Sequence, residues 1–358
     1  MLVKVDLDQT IIKKIEDLVR QGTYSDIHQF VSVSILNQLE EEISNRGREF
    51  NSDQISEYQS HSKSSFTKTE QSVSLRNVNP LTLNWRQELL EMKVESTQID
   101  PEPSELIWYF YNRFFPIKLV IYQLAKIVVT HHDNWIELGD LQVQAYEFAQ
   151  EIATKLKNIE IRAKMPRNKK MSTGLPGSSM ELISLRGTAR KKKDDKLLRG
   201  RTRFMDQIVG KYISKYNKFS GACFDLGLIG VKQDNEISYV SLSDLGKQFA
   251  LLENPVLDKE SYESVFSDKE VQFIFHRIYN RFPLENKIVK KIIEWLKRET
   301  LTSTQIDQLF KAEKRENFTL ERIATMGRLS ELQIVNWEID SEGKSQYTLN
   351  REKLELLN

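Results

Sequence analysis

The sequence predicts a mainly α-helical, multidomain protein with a small β content. Three observations predict it. Apolar residues recur at helical spacing in most of the patterned stretches. Two-residue alternation is confined to short runs, most of them coupled across turn residues as hairpins are. Two unpatterned stretches, one serine-rich and one basic with glycine and proline, interrupt the pattern and divide the chain. Its 358 residues are enough for two or three domains.

Residues 1–46 read as one unit. Val3, Val5 and Leu7 alternate with Lys4 and Asp6 as in a half-buried strand. Asp8 caps a helix to about Gln21, whose Ile11, Ile12, Ile15, Leu18 and Val19 share a face. Gly22 ends it, and Ser25 or Asp26 caps a second helix carrying Ile27, Phe30, Val31, Ile35 and Leu39. From 47 to 80 no period survives among the serines, so a flexible linker is expected. Residues 81–160 read as a helical domain built on Leu106–Val129 and Trp135–Leu156.

Residues 161–203 hold 14 basic residues against three acidic ones, 14 − 3 = +11, in a chain of net charge +1. Gly174, Pro176, Gly177 and Gly187 make this stretch a loop. Residues 204–262 follow: an amphipathic helix over Phe204–Tyr216, a helix-to-strand passage over Phe224–Val231, and a turn at Asp234-Asn235. A return strand over Ile237–Leu242 leads to a helix capped by Ser243. Residues 263–358 repeat that logic. A helix over Ile288–Leu296 precedes one capped by Ser303 or Thr304, then one capped by Thr319 and ending near Leu332. A hairpin of Ile334–Ile339 with Ser345–Leu349 closes the order.

The first 46 residues resemble the ribbon-helix-helix family of DNA-binding proteins. The features that carry this are the strand Val3–Leu7, the first helix, the turn Gly22-Thr23-Tyr24-Ser25, and Phe30-Val31 in the second helix. The resemblance covers about an eighth of the chain. It implies that two chains pair their strands into a ribbon, whose outward Leu2, Lys4 and Asp6 face the major groove. It also implies that Tyr24 and Ser25, at the start of the second helix, hold a phosphate. So small a unit cannot bury enough surface alone, so dimerisation follows. Asp6 departs from the basic or polar residues usual there: it would repel phosphates and could only accept from a cytosine amino group, which favours dimerisation over base reading. Residues 204–258 and 286–350 each resemble a winged helix, a fold that binds nucleic acid or protein.

The charge balance places any nucleic-acid affinity in local patches. Arg190, Lys191, Lys192, Lys193, Arg199 and Arg201 are the expected phosphate contacts of the basic stretch. Arg322, Thr325 and Arg328 recur at i, i+3, i+6 and form an expected recognition face. Trp108, Tyr109, Phe110, Tyr111, Phe114 and Phe115 read first as core, with base stacking as the alternative.

Other chemistries fit less well. Asp6-Leu7-Asp8-Gln9-Thr10 copies the signature of haloacid-dehalogenase-like phosphatases. The only Asp pair further on, Asp194-Asp195, sits in a lysine run without a strand, and a ribbon strand with a helix cap explains the same five residues. His131-His132 has no carboxylate or thiol cluster at zinc spacing and reads as a loop or helix end. The stretch Ser172–Ser178 lacks the Lys-Ser/Thr pair of a phosphate loop.

The single cysteine, Cys223, excludes an intrachain disulfide. The longest apolar run, Leu119–Val129, is broken by Tyr122, Gln123 and Lys126, and the charged start is unlike a signal peptide. A cytoplasmic, non-enzymatic protein with no cofactor and no metal is therefore expected. Its expected function is DNA binding as a homodimer, in transcriptional or plasmid- and chromosome-associated regulation. The alternative is a scaffold that dimerises through its N-terminus and docks protein partners on its winged-helix units.

Overall fold

The computed structural model describes residues 85–93, 104–131, 133–166, 169–177, 198, 200–234, 237–313, 315, 317–339 and 345–355. The described part is mainly helical, with three small antiparallel sheets. The expected ribbon-helix-helix unit and linker lie outside the described residues.

Helix α1 is Trp85–Glu91. The chain then runs irregularly over 104–114 and enters α2, Phe115–His131. The apolar spacing alone predicts helix back to Leu106. The start at Phe115 follows from Pro116, which has no amide hydrogen and suits only a first turn. Helix α2 is the axis of the core: thirteen of its 17 residues are buried, so it is enclosed on all sides rather than along one stripe. After it come β1 (Ile136–Glu137) and the long α3 (Leu138–Arg162).

The expected helix over Phe204–Tyr216 is corrected. A π-helical turn, Phe204–Val209, stops at Gly210, and β2 (Lys211–Ile213) and β3 (Lys218–Ser220) form a hairpin. Gly210 has φ +117°, and a Cβ there would fall 2.3 Å from the Phe224 ring, so only glycine lets the chain turn here. Helix α4 (Ala222–Asp225) leads into β4 (Ile229–Asp234) and β5 (Ile237–Leu242). Ser243 caps α5 (Asp244–Leu251) as expected, its hydroxyl accepting from Gly246 N. Asn254 caps α6 (Pro255–Asp258), and Ser267 with Glu270 forms a capping box on α7 (Asp268–Phe273).

The last part keeps the expected order of elements. Helix α8 is Pro283–Leu296, β6 Leu301–Thr302, α9 Ser303–Ala312, α10 Phe318–Glu331, β7 Val335–Ile339 and β8 Ser345–Leu349. A short α11, Arg351–Glu355, follows. The cap of α9 is Thr302, one residue earlier than expected, because Gln305 returns a hydrogen bond to it. Helix α10 has no side-chain cap; Asn317 stands at its start.

Two sheets share one plan. Strands order β1-β5-β4 in the first and β6-β8-β7 in the second, so each time a short strand after a long helix pairs with the second strand of a later hairpin, which becomes the central strand. The registers are Ile136↔Val240 with Val231↔Val240, and Leu301↔Tyr347 with Trp337↔Tyr347. The first sheet joins residues that the sequence pattern assigns to two domains, since β1 lies in 81–160 and β5 in 204–262. One apolar core runs from Leu89 to Tyr347 through both units.

Candidate nucleic-acid interface

The described flanks of the basic stretch are both seated on α3. At the incoming end, buried Glu160 accepts from Ser172 N and Ser172 Oγ, each at 2.7 Å. That pins the turn around Leu175, which is itself buried. The turn closes at Gly177, against Gln150. At the returning end, the guanidinium of Arg201 lies 5.5 Å over the Tyr146 ring, and Phe204 packs edge-on to the same ring at 6.2 Å. Gln142 donates to Gly210 O at 2.7 Å.

Gln150 and Tyr146 are themselves hydrogen-bonded at 2.8 Å, one turn apart. Gly177 and Arg201 therefore lie against side chains one turn apart on α3. Arg162, Lys164, Lys169, Arg201 and Arg203 are exposed on these flanks. Arg162 and Lys164 stand at the C-terminal end of α3, about 24 Å along the helix from Tyr146 and Arg201, so the exposed cations are spread along this side rather than gathered at one point.

The predicted contacts divide in three. Leu2, Lys4, Asp6, Tyr24, Ser25, Arg190, Lys191, Lys192, Lys193 and Arg199 lie outside the described residues. Arg201 is exposed, as a phosphate contact requires. The recognition face of α10 is corrected. Thr325 and Arg328 are each 1% exposed, and the Arg322 Nε is bound 2.6 Å from Asp307 of α9. Their shared face is the inward one.

The segment 105–115 explains this burial by running along α10 and the start of α8. Arg328 donates to Tyr111 O at 2.7 Å. A Cβ on Gly327 would lie 3.1 Å from Asn112 O. Leu284 N and Glu285 N both donate to Glu105 O, at 3.1 and 3.0 Å. Glu331, at the end of α10, accepts from Phe114 N at 2.5 Å and Phe115 N at 3.3 Å, and so caps α2 with a carboxylate.

Burial pushes the Glu331 carboxyl up to about 7, against the pull of Arg113, the two amide donors and Arg328. A raised carboxyl favours the protonated fold. Its contribution is full below the ordinary value near 4.5 and is lost as pH rises through about 7, about 3 kcal/mol in all. Glu331→Gln is expected to flatten the stability profile between about pH 5 and 7, followed by urea unfolding. An unchanged slope in that window would assign the dependence to other groups.

Of the aromatic run, Tyr111, Phe114 and Phe115 are core, in line with the core reading of the run, while Trp108 is 42% exposed. His131 ends α2 and is exposed; His132 and the Asp6–Thr10 motif lie outside the described residues. Among the described residues no group of three or more His, Cys, Asp or Glu is placed to hold a metal. No described helix is long and apolar enough to cross a membrane. Cys223 is buried, and burial raises its thiol well above the ordinary value.

Sequence reasoning missed Glu160 and Ser172, which hold the basic flank. Their signal was weak: one carboxylate on the α3 apolar face and a serine in a glycine-rich turn. No family model, curated protein or solved structure matches this chain.

Proposed function

We propose that this chain is a DNA-binding protein that acts as a dimer, in transcriptional or plasmid- and chromosome-associated regulation. The observation that carries the reading is the basic stretch 161–203, with both described flanks seated on α3. Clustered Lys and Arg displace counterions from phosphates and supply sequence-independent affinity. The ribbon-helix-helix resemblance of residues 1–46 supports the dimer. The two helix–strand–helix–hairpin units support a pair of winged-helix domains. A cytoplasmic location belongs to the same reading.

The test is anisotropy with labelled duplex DNA at about 50 and about 200 mM salt. Affinity is expected to fall steeply with salt. Changing Arg190, Lys191, Lys192 and Lys193 to Gln is expected to weaken binding to all sequences alike. Each phosphate that is no longer neutralised flattens the log–log slope by roughly 0.9. Absence of binding at low salt, or an unchanged slope in the variant, would sink the reading.

One observation favours the scaffold instead. The expected recognition helix of the second unit, α10, is packed under residues 111–115. A winged-helix unit whose third helix is covered has its remaining faces free for protein contacts. On that reading the duplex assay stays blank and a protein partner takes the place of DNA.

A further inference from the structure

A cleft of about 800 Å³ opens between the 104–111 segment and the β2–β3 hairpin, with α4 at its back. Such a volume suits a nucleotide-sized group. Its two sides are aromatic and come from separate elements. On one, Trp108 stands edge-on to Tyr111, centroids 5.4 Å apart. On the other, Tyr212 lies 5.0 Å from Phe219, which lies 5.1 Å from Phe224. The back is fixed: the Tyr111 hydroxyl donates to Asp225 Oδ2 at 2.6 Å, tying the 104–111 segment to α4.

The surroundings of the cleft select the ligand. Arg203, on the returning flank of the basic stretch, lies 5.8 Å over the Phe110 ring, and Phe110 packs 4.5 Å from Trp108. Lys215, at the hairpin tip, is exposed beside Tyr216, itself 61% exposed. Arg203 and Lys215 thus each sit on a ring beside the cleft lining, and the lining itself carries Lys218 and Arg315. Of the cleft's three carboxylates, Glu321 is closed by a bidentate pair with Arg315 at 2.8–3.1 Å, Asp225 is engaged by Tyr111, and Glu105 is exposed. Flat rings flanked by cations suit a planar base on a phosphate chain, because every base has a π-face and its backbone needs positive partners.

We propose that this cleft takes unpaired bases of single-stranded DNA, stacked on Trp108 and Tyr212 with the phosphates led in by Arg203 and Lys215. This inference rests on the DNA-binding reading and adds a second, strand-selective site to it. It gives the exposed indole a role that the double-stranded contacts do not use.

The test uses the full chain, a short mixed-sequence single-stranded oligonucleotide and a blunt duplex. Single strands are expected to quench tryptophan fluorescence in the parent chain, and the Trp108 share of that quench is absent in Trp108→Phe. Trp108→Ala is expected to weaken single-strand binding roughly 5- to 150-fold, while Trp108→Phe, which keeps a ring, retains most of it. Tyr212→Ala acts in the same direction. Duplex affinity stays within about twofold in each variant.

Trp108→Ala that binds single strands like the parent would overturn the proposal. So would an arginine-rich peptide that quenches Trp108 where the oligonucleotide does not, since the occupant is then a basic peptide. Salt-dependent duplex binding with a Trp108-independent single-strand affinity removes the cleft site alone. Binding to neither form removes this proposal and the DNA-binding reading together.

Discussion

Lys118→Met is expected to cost about 3–5 kcal/mol, because it leaves a buried carboxylate without its counter-charge. Lys118 lies in the first turns of α2 and is fully buried, as is its partner Glu270 on α7, with Nζ 2.9 Å from Oε1. The same ammonium donates to Phe249 O at 2.6 Å and Leu252 O at 3.0 Å, so its three hydrogens have three acceptors. Glu270 also accepts from Asn254 Nδ2 at 3.1 Å and Ser267 N at 2.8 Å.

One pair thus joins the central helix, the end of α5 and the capping box of α7. Desolvation lowers the Lys118 pKa and raises that of Glu270, and each partner opposes the other's shift. The variant keeps most of the side chain's length and removes the terminal ammonium with its charge and donors. Urea unfolding of Lys118→Met beside Lys118→Met/Glu270→Leu reads the effect. The double variant is expected to recover part of the loss, since no lone charge remains. A single-variant loss under about 1 kcal/mol would mean that water reaches the site.

What was legible in the sequence was local. The hairpins at Ile237–Leu242 and Ser345–Leu349 and the Ser243 cap follow from alternation or from side chains within three residues of one another, while the α9 cap was read one residue late. The break at Gly210 was not legible: Phe204–Tyr216 has helical spacing on both sides of it. What decides there is the Phe224 ring against the glycine, a contact from a later element.

The candidate site depended even more on distant contacts. Tyr111 and Asp225 meet across 114 positions, and Arg328 reaches Tyr111 across 217. Periodicity showed that Arg322, Thr325 and Arg328 share a face of α10. It did not show whether that face meets water or another segment, because an internal polar stripe and an exposed one have the same spacing. The basic stretch was plain from composition, yet its attachment to α3 depended on Glu160, a carboxylate with no local signature.

Arg328→Met tests which of those two faces α10 presents. Arg328 donates to Glu285 Oε1 at 2.7 Å, to Tyr111 O at 2.7 Å and to Thr325 Oγ1 at 3.2 Å. Thr325 in turn donates to Glu285 Oε1 at 2.9 Å. Glu285 is 1% exposed, so removal of the guanidinium strands its charge and frees a backbone carbonyl. The expected loss is about 3–5 kcal/mol, partly restored in Arg328→Met/Glu285→Leu. An exposed base-reading arginine behaves in the opposite way: its removal shifts stability by no more than about 0.5 kcal/mol and relaxes sequence preference by about 1–3 kcal/mol at one base pair. Competition between two duplexes, corrected for the folded fraction, separates the cases. Unchanged preference with a large stability loss is the outcome this packing predicts. A stable variant with altered preference would return α10 to the DNA.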